Sequence, residues 1–533
     1  MGVAAACTIA LDGMSGHLVD VQVDLSAGLV STALVGRPDP SVTEARDRCR
    51  AAITNSGYEW PATRRVTILL SPADLPKRGS HFDLAIAVAV LGASGGFPVP
   101  RLAGSVFLGE LTLDGRLRPV PGVLPMTTSA VAHGARRVVV PEPQAAEAKL
   151  VPGVEVVGVR SLGQVVAVLR GEPVPQAPAV AAPSQGPLLT WRGEQRLEDV
   201  DLADVVGMRD PRYALEVAAA GGHHLLLSGP KGAGKTTLAE RLPGLLPDLD
   251  AEAAVELTAI RSLCGEDPVR VGGLRPPFRA PHHSASRASV LGGGTGRARP
   301  GEVSRAHHGV LFLDELPHFR SDIVEALREP LESREVTIAR GQECATFPAR
   351  CLVVVAANPC PCGNFHPSPL QSQCTCTEVA RRHYRRKLGG PVMDRIDIVR
   401  HVEPVAPHEA RDPFGSPEPT EVVAARVARA RERQRHRLSG TSWRLNSEVP
   451  DAALRERWPL DSDGHALLDD QVYTGRLTRR GATRVHRLAW TVADLRGAAR
   501  PGPEELDTAL RLRTGEPLML EQLPTGAGDG GGR

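Results

Sequence analysis

Three stretches of this sequence predict a mixed α/β chain with more than one domain. "HLVDVQVDL", from His17 to Leu25, alternates apolar and polar residues like a half-buried strand. "HHLLLSGPKGAGKTTLAERL", from His223 to Leu242, reads as an apolar strand, a glycine-rich loop and a helix. "HHGVLFLDELPHF", from His307 to Phe319, is a short apolar strand that stops on two acids. A phosphate-binding loop on one strand and acids on another belong to an open sheet flanked by helices.

Composition narrows the classes further. At 533 residues the chain exceeds one hydrophobic core, and a prior of about 150 residues per domain divides it into roughly three or four. No apolar run nears the ~20 residues that span a bilayer, and "MGVAAACTIALDG" has no basic n-region or cleavage site. A cytoplasmic protein without membrane contact is expected. The net charge of +2 gives no general attraction to polyanions, so any nucleic-acid surface must be local. With aromatics at only 3%, stacking platforms for bases are scarce and backbone contacts would dominate. Nine cysteines, an odd number with four between Cys360 and Cys376, point to metal or redox use rather than a disulfide framework.

One boundary is plain. "EPVPQAPAVAAPSQG", from Glu172 to Gly186, is Pro/Ala-rich without periodicity and reads as an extended tether. The expected layout is an N-terminal domain over 1–171, a linker over 172–190, a nucleotide-binding core over 191–405, a helical lid over 406–515 and a flexible tail over 516–533. Within the first domain, Val19, Val21, Val23 and Leu25 should face the core. "PSVTEARDRCRAAI" has helical period, with Ser41 and Glu44 placed as a capping box. "RVTILL" is a strand, "FDLAIAVAVL" a buried helix, and "LTLDGRLRPV" a hairpin signalled by Asp114-Gly115.

This order of elements, and above all "SPADLPKRGSHFDLAIAVAVL", resembles the Lon protease catalytic domain, of ribosomal S5 domain 2-like fold. It resembles more closely the degenerate version in the ComM/YifB family of magnesium chelatase-like ATPases. Lon-type proteolysis needs a Ser activated by a Lys. In the alignment the resemblance implies, the nucleophile position falls on His81, with Ser80 one residue early, and the segment 119–130 that should supply the Lys has none. A platform for assembly or partner binding is the expected role.

After the linker the chemistry is legible. Gly229, Pro230, Lys231, Gly232, Ala233, Gly234, Lys235 and Thr236 match G-x-x-x-x-G-K-[ST], with Thr237 following on the helix. Backbone N–H groups of such a loop cradle phosphates, Lys235 reaches the β/γ oxygens, and the Thr236 hydroxyl ligates Mg²⁺. Asp314 can hold Mg²⁺ through its water shell, while Glu315 can orient or deprotonate the attacking water. A third strand, "CLVVVAAN", ends on Asn358, whose amide can hydrogen-bond the γ-phosphate or the water.

From 200 to 500 the chain resembles AAA+ ATPases of the ComM/magnesium-chelatase branch, through "FRAPHHSAS", "PGEVSRAHHGVLFLDELPHF", "ANPCPCG" and "GPVMDRIDI". The resemblance implies a P-loop core of the helix 2 insert clade, with Asn358 at the sensor 1 position. Arg395 would be the finger that reaches a neighbour's nucleotide, its other reading being a pairing with Asp394 or Asp397, and Arg480, on the lid helix, best matches the sensor 2 residue binding nucleotide, with Arg479 and Arg484 as the other candidates. A trans finger requires a ring, so a nucleotide-promoted homo-oligomer, a hexamer, is expected.

Six arginines, four histidines and one acid, Glu302, lie between Arg275 and His308. A flexible cationic segment can follow a phosphate backbone. "REVTIARGQECATF" reads as a hairpin entering the same region, with Arg334 and Arg340 near its ends. Cys360, Cys362, Cys374 and Cys376 can close a tetrahedral Zn²⁺ site, although the tight Cys-x-Cys spacing leaves reduced structural thiols as the other reading. Either way the module would clamp the motor's own loop, and "RRHYRRK", Arg381 to Lys387, offers a second contact for DNA. The long basic helix "EVVAARVARARERQRHR" reads as a solvated face without a site. The function implied is an ATP-hydrolysing DNA motor of helicase type that moves branches on single-stranded or branched DNA in recombination and transformation. A chelatase-like motor for metal insertion into a porphyrin and a Lon-like protease or unfoldase are the alternatives.

Overall fold

The computed structural model describes residues 2–180, 200–266, 274–294, 298–340, 343–365, 372–388, 392–405, 417–519 and 523. The linker beyond 180, Arg297, the hairpin tip at 341–342, the Arg340 side chain and the tail from 524 lie outside the described residues.

Two sheets organise the chain. The first uses β1 (Gly2–Asp12), β2 (Ser15–Ser26), β3 (Ser31–Val35), β4 (Arg65–Ser71), β5 (Ser105–Phe107), β8 (Arg137–Pro141) and β9 (Glu155–Val159) in the order β3-β4-β2-β1-β5-β8-β9. Between β5 and β8 a small hairpin pairs β6 (Glu110–Leu111) with β7 (Leu117–Arg118), closed by a Thr112–Arg116 loop with Gly115 at φ 79°. Val19, Val21, Val23 and Leu25 of β2 are buried, as the alternation requires. The helices α1 (Ala45–Asn55), α2 (Asp83–Ala93) and α3 (Val123–Ala132) pack on this sheet.

The start of the first helical segment differs from expectation. Asp39, not Ser41, is the cap: its Oδ1 accepts from the Val42 backbone N–H at 2.9 Å ahead of a single turn, Pro40–Thr43, and α1 begins afresh at Ala45 without a side-chain cap. Pro40 at the first helical position favours this earlier start. Helix α2 is buried all round, and its one charge, Asp83, is held by both Nε and Nη2 of Arg48 at 2.8 and 2.9 Å. Burial raises the Asp83 pKa to about 6 against the pull of Arg48.

The tether is less free than its composition suggests. The Pro175 carbonyl accepts from Gln164 at 2.8 Å and the Ala177 carbonyl from Arg160 at 3.1 Å, so its first residues lie on the N-terminal domain.

The second sheet is entirely parallel, in the order β11-β14-β17-β10-β18. Its strands are β10 (Leu225–Ser228), β11 (Phe278–Arg279), β14 (Val310–Leu313), β17 (Leu352–Ala357) and β18 (Ile398–His401). Every residue of β17 is buried, which suits a strand covered by helices on both faces. Around it lie α4 (Arg209–Gly221), α5 (Lys235–Leu245), α6 (Ala251–Cys264), α7 (Arg287–Leu291), α8 (Glu302–Arg305), α9 (Glu378–Leu388), α10 (Thr420–Arg437) and α11 (Arg479–Arg496). Two hairpins interrupt the core: β12 (Gly292–Gly293) with β13 (Arg299–Pro300) between α7 and α8, and β15 (Glu335–Arg340) with β16 (Glu343–Pro348) before β17.

The two sheets are joined through α6 and β16. The Gly122 N–H donates to the Ser262 carbonyl at 3.0 Å, and Leu11 and Met14 pack with Leu263, Ala345 and Phe347. Gly13, at φ 59° in the β1–β2 turn, lies so close that a Cβ there would stand 3.0 Å from the Thr346 carbonyl oxygen.

Candidate nucleotide site and cysteine module

The carboxyl ends of β10, β14 and β17 bring the sequence-predicted groups together. Gly229 to Gly234 form the loop after β10, and Gly229 approaches β18 so closely that a Cβ would lie 2.0 Å from the Val402 oxygen. Gly234, at φ +88°, caps α5 without a side-chain hydrogen bond, which leaves the first N–H groups of that helix free for phosphate oxygens. Lys231 and Thr237 are exposed, and Ala233 is buried beneath the loop.

Lys235 is buried, and its Nζ donates to the carbonyls of Gly229 at 2.8 Å and Pro230 at 2.7 Å and to Asn358 Oδ1 at 3.0 Å. Burial lowers its pKa, opposed by the nearby charges of Asp314 and Glu315. The Thr236 hydroxyl donates to Asp314 Oδ2 at 3.3 Å, so two hard oxygen donors stand side by side where Mg²⁺ would bind. Glu315 follows in the left-handed region at φ 52°, with its N–H donating to Asp314 Oδ1 at 2.9 Å. That turn takes the second carboxylate out of the strand's alternation, a local cost of the kind stored at functional sites.

Arg395 and Arg480 are elsewhere. Both line a cleft of about 980 Å³ whose wall includes His224, Gly309, Leu352 and Asp397, the residues at the amino ends of β10, β14, β17 and β18. The cleft therefore opens at the sheet edge opposite the phosphate loop. Arg480 stands with Arg395, not with Lys235 of its own chain as a nucleotide-binding lid residue would. Arg395 pairs with Glu332 rather than with Asp394 or Asp397, and Asp397 is taken by Arg484. Nine arginines face six acids in this cleft, a surplus that suits an anionic guest. Glu332 was missed from the sequence because nothing local marks it; Arg484, a competitor of Arg480 for the lid position, instead holds Asp397.

The cationic stretch between Arg275 and His308 is also less free than its composition suggests. Arg305 is tied to Glu266 and Glu302, Arg279 to Glu266 at 3.5 Å, and His307 and His308 to Glu256 at 3.0 and 2.7 Å. Arg275, Arg287 and Arg299 are exposed. Arg334 pairs with Glu448 of the lid at 2.7 Å instead of projecting from its hairpin.

Cys360, Cys362 and Cys374 have Sγ atoms 3.3–3.6 Å apart, and Cys376 completes a group whose sulfurs all lie within 4.8 Å. A disulfide would need about 2.05 Å, whereas tetrahedral Zn–S bonds of ~2.3 Å set sulfurs roughly 3.8 Å apart. The four thiols thus fit a Zn²⁺ site. The Asn364 backbone N–H holds the Cys362 thiol down at about 6, which favours the thiolate ligand. Gly363 of the same module packs on the phosphate loop, where a Cβ would stand 3.4 Å from Lys231 Cβ.

Glu256, His307 and His308 form a second cluster of metal-ligating types. Its hydrogen bonds argue for another role. The Arg350 backbone N–H donates to His307 Nδ1 at 3.0 Å, so the neutral ring carries its proton on Nε2 and gives it to Glu256. A metal-binding imidazole has the reverse polarity, with its free N–H donating outward. Burial pushes His307 down to about 4, and the His307 hydrogen bond holds Glu256 down at about 2.

A parallel sheet with this loop, the acid pair and Asn358 at the ends of adjacent strands defines a P-loop ATPase of the chelatase-like AAA+ class. Models of the magnesium chelatase subunit ChlI match residues 21–144 and 201–410, and a model of its C-terminal part matches 417–513. The chain is 38% identical to YifB of Escherichia coli, covering 98% of this chain and 99% of YifB, and 37% identical to the competence protein ComM of Haemophilus influenzae, covering 96% and 98%. It belongs to the ComM/YifB family. A partial likeness, 24% identity over 31% of this chain and 32% of the relative, joins it to Lon protease 2 of Bacillus subtilis. No described helix is long and apolar enough to cross a membrane.

Proposed function

We propose that this chain is an ATP-driven DNA motor that works as a ring, a hexamer, and promotes branch migration on single-stranded or branched DNA. The observation that carries the ring is the separation of Lys235 and Arg395 to opposite edges of one sheet. One subunit cannot place its own Arg395 on its own nucleotide, whereas a neighbour stacked edge to edge can. The kinship with a competence protein supports DNA as the substrate. The β12–β13 and β15–β16 hairpins support a helix 2 insert core whose loops face a central channel.

In this reading the loop N–H groups and Lys235 bind the triphosphate, and Lys235 exchanges its carbonyl partners for phosphate oxygens. Thr236 and Asp314 would hold Mg²⁺, which would supply charge neutralisation to the phosphates. Asn358 orients the attacking water and Glu315 accepts its proton. Arg395 and Arg480 of the adjoining subunit offset charge on the transferring phosphoryl. Cys360, Cys362, Cys374 and Cys376 hold a structural Zn²⁺ that fixes the loop behind Asn358; metal analysis of untagged protein should find one zinc per chain, and none would reject that assignment.

The matches to a magnesium chelatase subunit favour a second reading, a motor driving metal insertion into a porphyrin. ATPase assays separate the two: single-stranded and branched DNA should raise hydrolysis severalfold, with Lys235→Ala as the inactive blank. A rate indifferent to every polynucleotide would refute the DNA motor. A protein that stays monomeric with an ATP analogue would remove Arg395 and Arg480 from the site.

A further inference from the structure

Helix α9 joins the cysteine module to the nucleotide site in an unusual way. Of its residues 381–387 only Tyr384 is buried, at 5% exposure, and the helix packs on the Leu316–His318 turn that follows Glu315. The Tyr384 ring meets His318 edge-on at 6.2 Å. Its hydroxyl is buried with no hydrogen bond among the described residues, and burial raises its pKa. One aromatic side chain is therefore seated on the turn that follows Glu315, at the strand ends where Asn358 also lies. The sequence signal was a lone ring inside "RRHYRRK".

The cations of the same helix divide into two sets. Arg381 and Arg385 stack on Phe365 of the cysteine module, with guanidinium carbons 4.6 and 5.2 Å from the ring centroid. Arg382, Arg386 and Lys387 are exposed; Arg382 and Arg386, four residues apart, share one face, and Lys387 lies on its flank. The only acid on the helix is Glu378, whose contact with Arg382 at 3.4 Å is between two exposed side chains and therefore weak. Two cations sharing a face and a third on its flank, on a helix pinned through Tyr384, match the repeated charges of a phosphate backbone.

We propose that α9 is a nucleic-acid-sensing lever: Arg382, Arg386 and Lys387 take backbone phosphates of a DNA strand, and Tyr384 transmits the resulting shift of the helix to Asn358 and Glu315. Tyr384 is here a positioning residue. The proposal rests on the DNA-motor reading and adds the surface and the residue that couple binding to hydrolysis.

The test uses the full chain, an oligo-dT strand as probe, and the ratio of stimulated to basal hydrolysis measured for each variant. The triple variant R382Q/R386Q/K387Q changes only exposed side chains. Its ratio should fall towards one, and the slope of log affinity against log salt should flatten by about 2, three phosphates at ~0.7 each. Tyr384→Ala should keep the binding and salt slope of the wild type but lose most of the stimulation, and Tyr384→Phe, which keeps the ring, should restore it. A triple variant with the wild-type ratio and slope would overturn the α9 surface while leaving the DNA motor standing. Stimulation of Tyr384→Ala equal to that of the wild type would overturn the coupling. Polyglutamate stimulating as well as oligo-dT would overturn nucleic acid as the ligand, and no stimulation of the wild type would overturn both readings together.

Discussion

Helix α9 places five cations in eleven residues and helix α10 places six arginines in eighteen, yet their surroundings are opposite. On α10, Arg426 grips Glu216 and Glu418 at 2.7–2.9 Å, Arg431 donates twice to the Ala219 carbonyl at 2.7 and 2.9 Å, and Arg437 holds both oxygens of Asp494 at 2.6 Å. The expectation of a solvated face for this helix therefore holds only for Arg429, Arg433 and Arg435, which are exposed; Arg426 and Arg431 tie the lid to α4 and Arg437 ties it to α11. On α9 the cations meet one aromatic ring and the exposed Glu378, or stand exposed. The partners decide the difference, and apart from the nearby Glu418 they come from α4 and α11, far away in sequence.

The comparison can be broken most severely at Arg437. Arg437→Ala leaves the Asp494 carboxylate, 1% exposed, with the Asn446 amide at 2.9 Å as its remaining side-chain donor among the described residues. Losing one partner of such a pair costs about 3 kcal/mol, measurable by urea unfolding. A loss below about 0.5 kcal/mol would show that α10 is as dispensable to folding as α9.

Zinc removal should act on the other helix. If the four cysteines hold Zn²⁺, stripping it should free Phe365 and Cys360, so that amide exchange across α9 accelerates about tenfold while α10 keeps its protection. Equal changes in both would mean that the cysteine module does not anchor α9.

Acid sharpens the contrast between buried and solvated groups. Burial pushes His224, His307 and His486 down from 6.5 to about 4 each. Unfolded chains take up these protons near 6.5 and the native state only near 4, so the unfolded state binds more protons within that window. Stability should therefore fall as pH drops from 6.5 to 4, by about 1 kcal/mol per pH unit for each histidine. A flat stability profile there would refute buried neutral rings. The smallest effect belongs to Arg386→Ala on α9, where the unfolding free energy should change by less than about 0.5 kcal/mol.

The phosphate loop, Asp314, Glu315 and Asn358 were legible because each is set by local pattern: an apolar strand, then a short run whose backbone geometry its own residues dictate. The alternation of β2 and the buried run of α2 were legible for the same reason. The cap at Asp39 was misplaced because two capping patterns overlap within six residues, and the earlier one is reinforced by Pro40. Arg395 was recognised from its phrase, but its pairing with Glu332 was not, since sixty-three residues separate them.

Sequence alone determined the chemistry available to this protein: a nucleotide cradle, a water-handling acid, four thiols with metal-binding spacing, and cationic stretches. Local backbone preference and side-chain type suffice for these. Tertiary structure decided which charges are neutralised, that Arg395 and Arg480 face away from their own nucleotide loop, and that Tyr384 packs against His318 in the turn after Glu315. Those outcomes depend on which distant acids and carbonyls the packed sheets bring within about 3 Å, a distance at which hydrogen bonding is decided.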